Sequence, residues 1–125
     1  MRYMCLVYYE EKPLGSQRVP GFVVDLGMSG AQAVAKECNA YDADLTERGH
    51  LIVSHPLSPS DNAVTVRVRE GKMSTTDGPF AETKEVLGGF LLIEARDMNE
   101  AIRIAADLPL AKLGSIEVRP IHRGP

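Results

Sequence analysis

Two segments of this chain are apolar on both sides of an extended backbone, and that narrows the folds open to it. In Arg2–Tyr9, the side chains of Tyr3, Cys5, Val7 and Tyr9 fall on one face of a strand and those of Met4, Leu6 and Tyr8 on the other, because successive residues alternate. Residues 88–95 repeat the pattern, with Phe90 and Leu92 opposed to Leu91 and Ile93. Such strands have to be covered from both sides, since a broad apolar sheet face is not left to water.

The remaining elements decide what can do the covering. Ser29 stands three residues before Gln32, a capping-box spacing, and Val34, Cys38, Tyr41 and Leu45 recur at helical spacing up to a stop at Gly49. A helix is expected over 31–48. Residues 50–57 read as a strand ending at Pro56. Val64, Val66 and Val68 then alternate with Thr65, Arg67 and Arg69, and after Glu70 and Gly71 residues 72–76 pair back as a hairpin. Asp97 caps a second helix with Glu100 at its third position, and Met98, Ala101, Ala105 and Leu108 form the buried stripe. Pro109 ends or kinks it, and residues 115–121 make a last strand. Residues 10–30 hold three acidic residues, two Pro and four Gly. They read mostly as loop, with room for a short helix or a cover over a pocket.

Strand, helix, strand, hairpin, strand, helix, strand is a doubled β-α-β plan. It predicts one α+β domain over 1–125, ferredoxin-like, with an antiparallel sheet. Two helices on a small sheet hide one face only. A second copy packed face to face would hide the other, giving a symmetric homodimer. The alternative cover is the 10–30 segment.

Composition excludes several classes. The 125 residues are 44% hydrophobic and 25% charged, as in ordinary soluble domains. Fourteen basic against seventeen acidic residues leave a net charge of −3, with no cationic excess to neutralise phosphates, so nucleic acid is not an expected partner. Neither the N-terminal stretch nor the apolar run at 86–93 is long enough for a signal-peptide core or a membrane span, so no membrane association and a cytoplasmic address are expected. Cys5 and Cys38 belong to no C-x-x-C pair and read as reduced, packed thiols.

The side chains suited to chemistry are few. His50 and His55 are an odd number apart and point to opposite faces of a strand, so they cannot chelate together, and no zinc spacing occurs elsewhere. No nucleophile elbow, phosphate loop or dinucleotide fingerprint is present, so no cofactor is expected. His55, at a strand end between Ile52-Val53 and Pro56-Leu57, suits proton transfer near neutral pH or a plain backbone hydrogen bond. Asp77 lies in a turn stiffened by Gly78 and Pro79, either a simple turn residue or a rigid mount for a carboxylate. Glu82, Lys84 and Glu85 follow, the latter two as a solvated surface.

The run Thr76-Asp77-Gly78-Pro79-Phe80-Ala81-Glu82-Thr83-Lys84-Glu85, followed by Leu87-Gly88-Gly89-Phe90, resembles the signature of the DGPF group of YCII-related proteins. The likeness extends to Arg2-Tyr3-Met4, to residues 64–72 and to residues 114–120. The resemblance implies a ferredoxin-like dimeric α+β barrel, with a cavity between the sheet and its partner or the helices. It also implies a catalytic pair of Asp77 and His55, a structural likeness to muconolactone isomerases and chloromuconolactone dehalogenases, and an association with extracytoplasmic-function sigma factors. Two functions follow as expectations. One is cofactor-independent acid–base chemistry, isomerase- or lyase-like, on a small carbonyl or lactone-like compound, with His55 moving the proton, Asp77 orienting it, and Phe80 and Glu82 contacting the ligand. The other is a noncatalytic, regulatory dimer that binds a small-molecule ligand or a partner.

Overall fold

The computed structural model describes residues 1–123. In chain order the elements are β1 (Arg2–Tyr9), β2 (Glu11–Leu14), β3 (Gln17–Pro20), α1 (Gly21–Glu47), β4 (Leu51–Pro56), β5 (Val64–Arg69), β6 (Lys72–Asp77), β7 (Val86–Glu94), α2 (Met98–Ala106) and β8 (Ser115–Pro120). Short 3₁₀ turns lie at Ser60–Asn62 and Pro109–Lys112. The main sheet has the order β4-β7-β1-β8, and each neighbouring pair is antiparallel. With α1 between β1 and β4 and α2 between β7 and β8, this is the expected ferredoxin-like α+β plan. β2–β3 and β5–β6 are hairpins inserted into it, each a two-stranded sheet of its own.

Register assigns the faces. Cys5 lies opposite Leu91 and Val118, Tyr3 opposite Ile93, and Val7 opposite Ile116. These side chains meet Leu45 of α1 and Ala101, Ile104 and Ala105 of α2 in one core, where Tyr3, Cys5, Leu45 and Ile93 are almost wholly shielded from solvent. The opposite face carries Met4 and Leu6, half-buried, beside half-buried Leu92 and Phe90 of β7. Both helices pack on the first face, so no helix covers the second.

α2 forms as its sequence dictates. The Asp97 carboxylate accepts from the Glu100 backbone N–H at 2.9 Å, and the Glu100 carboxylate accepts from the Arg96 N–H at 2.9 Å. Ile104 joins the expected buried stripe.

Residues 10–30 depart from the expected loop. They fold as the β2–β3 hairpin, turning at Gly15-Ser16, and the first turns of α1. The hairpin is short and largely exposed, so its residues carry no apolar alternation that would betray a strand. α1 starts ten residues before the expected 31 and breaks at Gly27, whose φ of 73° and ψ of 178° only glycine takes easily. Ser29 consequently lies inside the helix rather than capping it. This segment also does not cover the open sheet face. Its Phe22 ring packs edge-on to Tyr9, on the helix side, with centroids 5.7 Å apart.

Candidate functional site

Beneath α1 the packing is incomplete for a readable reason. The helix turns Ala31, Ala35 and Cys38 toward a stretch of β7 where Gly88 and Gly89 have no side chains, and toward Ser54 on β4. Neither glycine tolerates a larger residue. A Cβ on Gly88 would fall into the Tyr9 ring, and one on Gly89 would lie 3.0 Å from the His55 carbonyl oxygen. Small side chains facing bare backbone leave a cavity of about 340 Å³, within the usual size of a small-molecule pocket. One turn further along α1, Tyr41 and Leu45 close the gap. Leu45 has no exposed surface, and the Tyr41 hydroxyl donates to the Ile104 carbonyl at 2.8 Å.

The walls are largely apolar: Val7, Phe22, Val34, Leu91, Leu108 and Leu110 all contribute. Pro20 and Phe22 form one edge of the mouth, held by the inserted hairpin. The Glu11 side chain is 3% exposed and accepts from the Ser60 backbone N–H at 3.0 Å and from the Ser60 hydroxyl. The Arg18 guanidinium lies 3.7 Å from the same carboxylate. That junction fastens β2 to the turn after β4, and the Gly21 N–H donates to the Glu10 carbonyl at 2.6 Å, setting where α1 begins.

The polar groups in the wall are Asp42, Asn39 and Cys38 on one face of α1, Ser54 on β4, and the Tyr9 hydroxyl, which donates to the Gly88 carbonyl at 3.4 Å. Burial raises the pKa of Asp42 above the ordinary carboxylate value, while a hydrogen bond from Ser54 pulls it the other way. Burial likewise raises the Cys38 thiol, with Asp42 and Glu37 adding to the effect. Tyr9 is raised by burial and by Glu11.

Of the sequence-derived site residues, His55 borders the cavity and Asp77, Phe80 and Glu82 do not. His55 pairs with Phe90 across β4–β7, one step from the Ser54–Leu91 pair, and the two rings lie edge to face with centroids 5.9 Å apart. His55 and Phe90 are both among the residues that border the cavity. Asp77 is exposed at the end of β6, opposite Val64 in the β5–β6 hairpin, and does not line the cavity. No hydrogen bond or ion pair joins His55 to Asp77 among the described residues. Phe80, 80% exposed, and Glu82 also lie outside it. Nothing in the sequence pattern marks Asp42 or Ser54 as site residues, and Cys38 reads there only as a packed thiol. A signal for the cavity itself was there: small residues at 31, 35 and 38 on one helix face, and a Gly-Gly step inside an apolar strand. Among the described residues, no three His, Cys, Asp or Glu side chains are grouped to hold a metal ion, and no helix is long and apolar enough to cross a membrane.

Topology, inserted hairpins and helix-side cavity together define a small α+β domain of ferredoxin-like plan. The chain belongs to the family of the YCII-related domain, whose sequence model matches residues 1–123. It is 40% identical over 92 residues to an uncharacterized protein of Rhizobium meliloti (strain 1021), covering 72% of this chain and 74% of that one. Among solved structures it is similar to a 5-chloro-2-hydroxyhydroquinone dehydrochlorinase from Burkholderia phenoliruptrix AC1100 in complex with 2,5-dihydroxybenzoquinone. The TM-score is 0.49 at 18% identity, covering 99% of this chain and 96% of that one.

Proposed function

We propose that this protein binds a small, mainly apolar molecule in the cavity between α1 and the sheet. The observation that carries the reading is an open-mouthed cavity of about 340 Å³ with mostly apolar walls, lined on the β7 side by Gly88 and Gly89. Interiors are otherwise close-packed, and a largely apolar cavity open at its mouth gains dispersion contacts and buries apolar surface when an apolar guest enters. Binding is the part of the expected function that the geometry favours over acid–base chemistry by His55 and Asp77, because Asp77 lies outside the cavity that His55 borders and no hydrogen bond or ion pair joins the two among the described residues.

The open sheet face supports a second copy of the chain as the assembly partner. Met4, Leu6, Phe90 and Leu92 form a contiguous apolar surface there, and the 10–30 segment packs on the other side.

The binding reading is tested with N-phenyl-1-naphthylamine, a neutral probe that fluoresces in apolar surroundings. A saturable signal at one probe per chain, abolished by Cys38→Phe and kept by Leu92→Ala on the open face, is expected. No saturable signal, or loss only in Leu92→Ala, would overturn the reading.

A further inference from the structure

The cavity wall is chemically one-sided. Asp42 is its only acidic side chain, and neither Lys nor Arg lines it. Half-buried Asp42 sits one helical turn beyond Cys38 and next to Ser54, whose partner across the sheet is the core residue Leu91. The β4 register therefore turns Ser54 toward the helix side. A carboxylate accepts hydrogen bonds and, when ionised, donates none. An anionic ligand would meet a like charge with no Lys or Arg to offset it, whereas a neutral ligand with one hydroxyl or N–H would find a charged acceptor in largely apolar walls.

We propose that Asp42, beside Ser54 in the wall, is the recognition group of the cavity, and that it selects uncharged ligands carrying a hydrogen-bond donor at one end of a compact apolar body. This rests on the reading of the cavity as a ligand site and adds the class of ligand. Three features support it independently. The helix places Asp42 on the same stripe as Ala31, Ala35 and Cys38, so the carboxyl belongs to the face that borders the void. Among the other polar groups, the Tyr9 hydroxyl is engaged by the Gly88 carbonyl and the Cys38 thiol hydrogen-bonds poorly, while Asn39, Ser54 and His55 offer no anionic acceptor. Finally, among the described residues Asp42 is in no ion pair, whereas Asp44, on the outer face of the same helix, holds Arg48 at 2.9 Å. The second cavity, beside Lys12 and Asp25, is unlike this one, because those two charges already pair at 2.6 Å.

The test uses three compounds of nearly one shape on the intact protein: p-cresol, toluene and p-toluate, with affinities measured by calorimetry at neutral pH. p-Cresol should bind at least about tenfold more tightly than toluene, the effect of one hydrogen bond to a charged acceptor. p-Toluate should be the weakest. Asp42→Ala should bring p-cresol down to the level of toluene, leave toluene within about twofold, and relieve the penalty on p-toluate. Ser54→Ala should reduce the preference for p-cresol in part, and it serves if the Asp42 variant does not fold. Equal affinities for p-cresol and toluene in the parent protein, or equal losses of both in Asp42→Ala, would overturn the role of Asp42 while leaving the cavity as a site. Failure of all three compounds to bind the parent protein would overturn both.

Discussion

Replacing Cys38 with Leu distinguishes a real void from a filled core by the sign of the stability change. Cys38 is half-buried and its side chain borders the cavity. Leu carries two more carbons than Cys has heavy atoms. If they enter empty space, each contributes about 0.8 kcal/mol on burial, so the gain is up to about 1.5 kcal/mol. Unfolding entropy near 2.1 cal/mol/K per residue over this chain makes 1 kcal/mol worth about 4 °C in Tm. The expected shift is thus an increase of up to about 6 °C. In a close-packed core the same change would overpack and cost about 1–3 kcal/mol, lowering Tm by about 4–12 °C. Leu also suits a helix better than Cys. Glu37→Leu, on an exposed position one residue earlier, reports how much a leucine adds at the surface of this helix. The assay is differential scanning calorimetry of the parent and both variants. A Cys38→Leu variant that melts below the parent would refute the packing argument from which the cavity follows.

Other outcomes follow from the same geometry. Sedimentation equilibrium at micromolar concentration should give about twice the 13.6 kDa chain mass, and Leu6→Asp should abolish the dimer, because a carboxylate would be buried without a partner; a monomeric parent protein would remove the case for a second copy. Burial raises the Asp42 pKa in the folded state, so the native protein holds that proton more tightly than the unfolded chain. Stability from this group is complete below the unfolded value of 3.8 and declines as pH rises through the raised one, so Asp42→Asn should gain on the parent between about pH 4 and pH 7. A stability difference flat across that range would contradict the burial. Burial pushes the Cys5 thiol up to about 11, so in the folded protein a disulfide reagent at pH 8 should modify Cys38 slowly and Cys5 only on unfolding; rapid modification of two thiols would show that the core is more open than its packing implies.

What was legible in the sequence was whatever repeats with a period. The two-faced alternation in Arg2–Tyr9 and in β7 identified the central strands, the Val64–Val68 alternation found the β5–β6 hairpin, and the Asp97 and Glu100 pair located the start of α2. The β2–β3 hairpin escaped because its side chains are mostly solvated and show no pattern to read. The start of α1 escaped because Gly27 interrupts the helix. The cavity is a matter of volume between two elements, which no single segment displays. Ala31, Ala35 and Cys38 look unremarkable until the register sets them against Gly88 and Gly89. His55 and Asp77 stood out because their residue types suit proton transfer, yet type does not determine face. One step along β4 separates Ser54, paired with the core residue Leu91, from His55, paired with Phe90, and Asp77 lies apart in the β5–β6 hairpin.

The most direct test of the ligand site is methyl NMR of the protein labelled at Val and Leu, titrated with toluene. Saturable shifts concentrated at Val7, Val34, Leu91, Leu108 and Leu110, which line the cavity, are the result predicted, with Leu6 and Leu92 on the open face unmoved. Shifts confined to Leu6 and Leu92, or none at all, would contradict it.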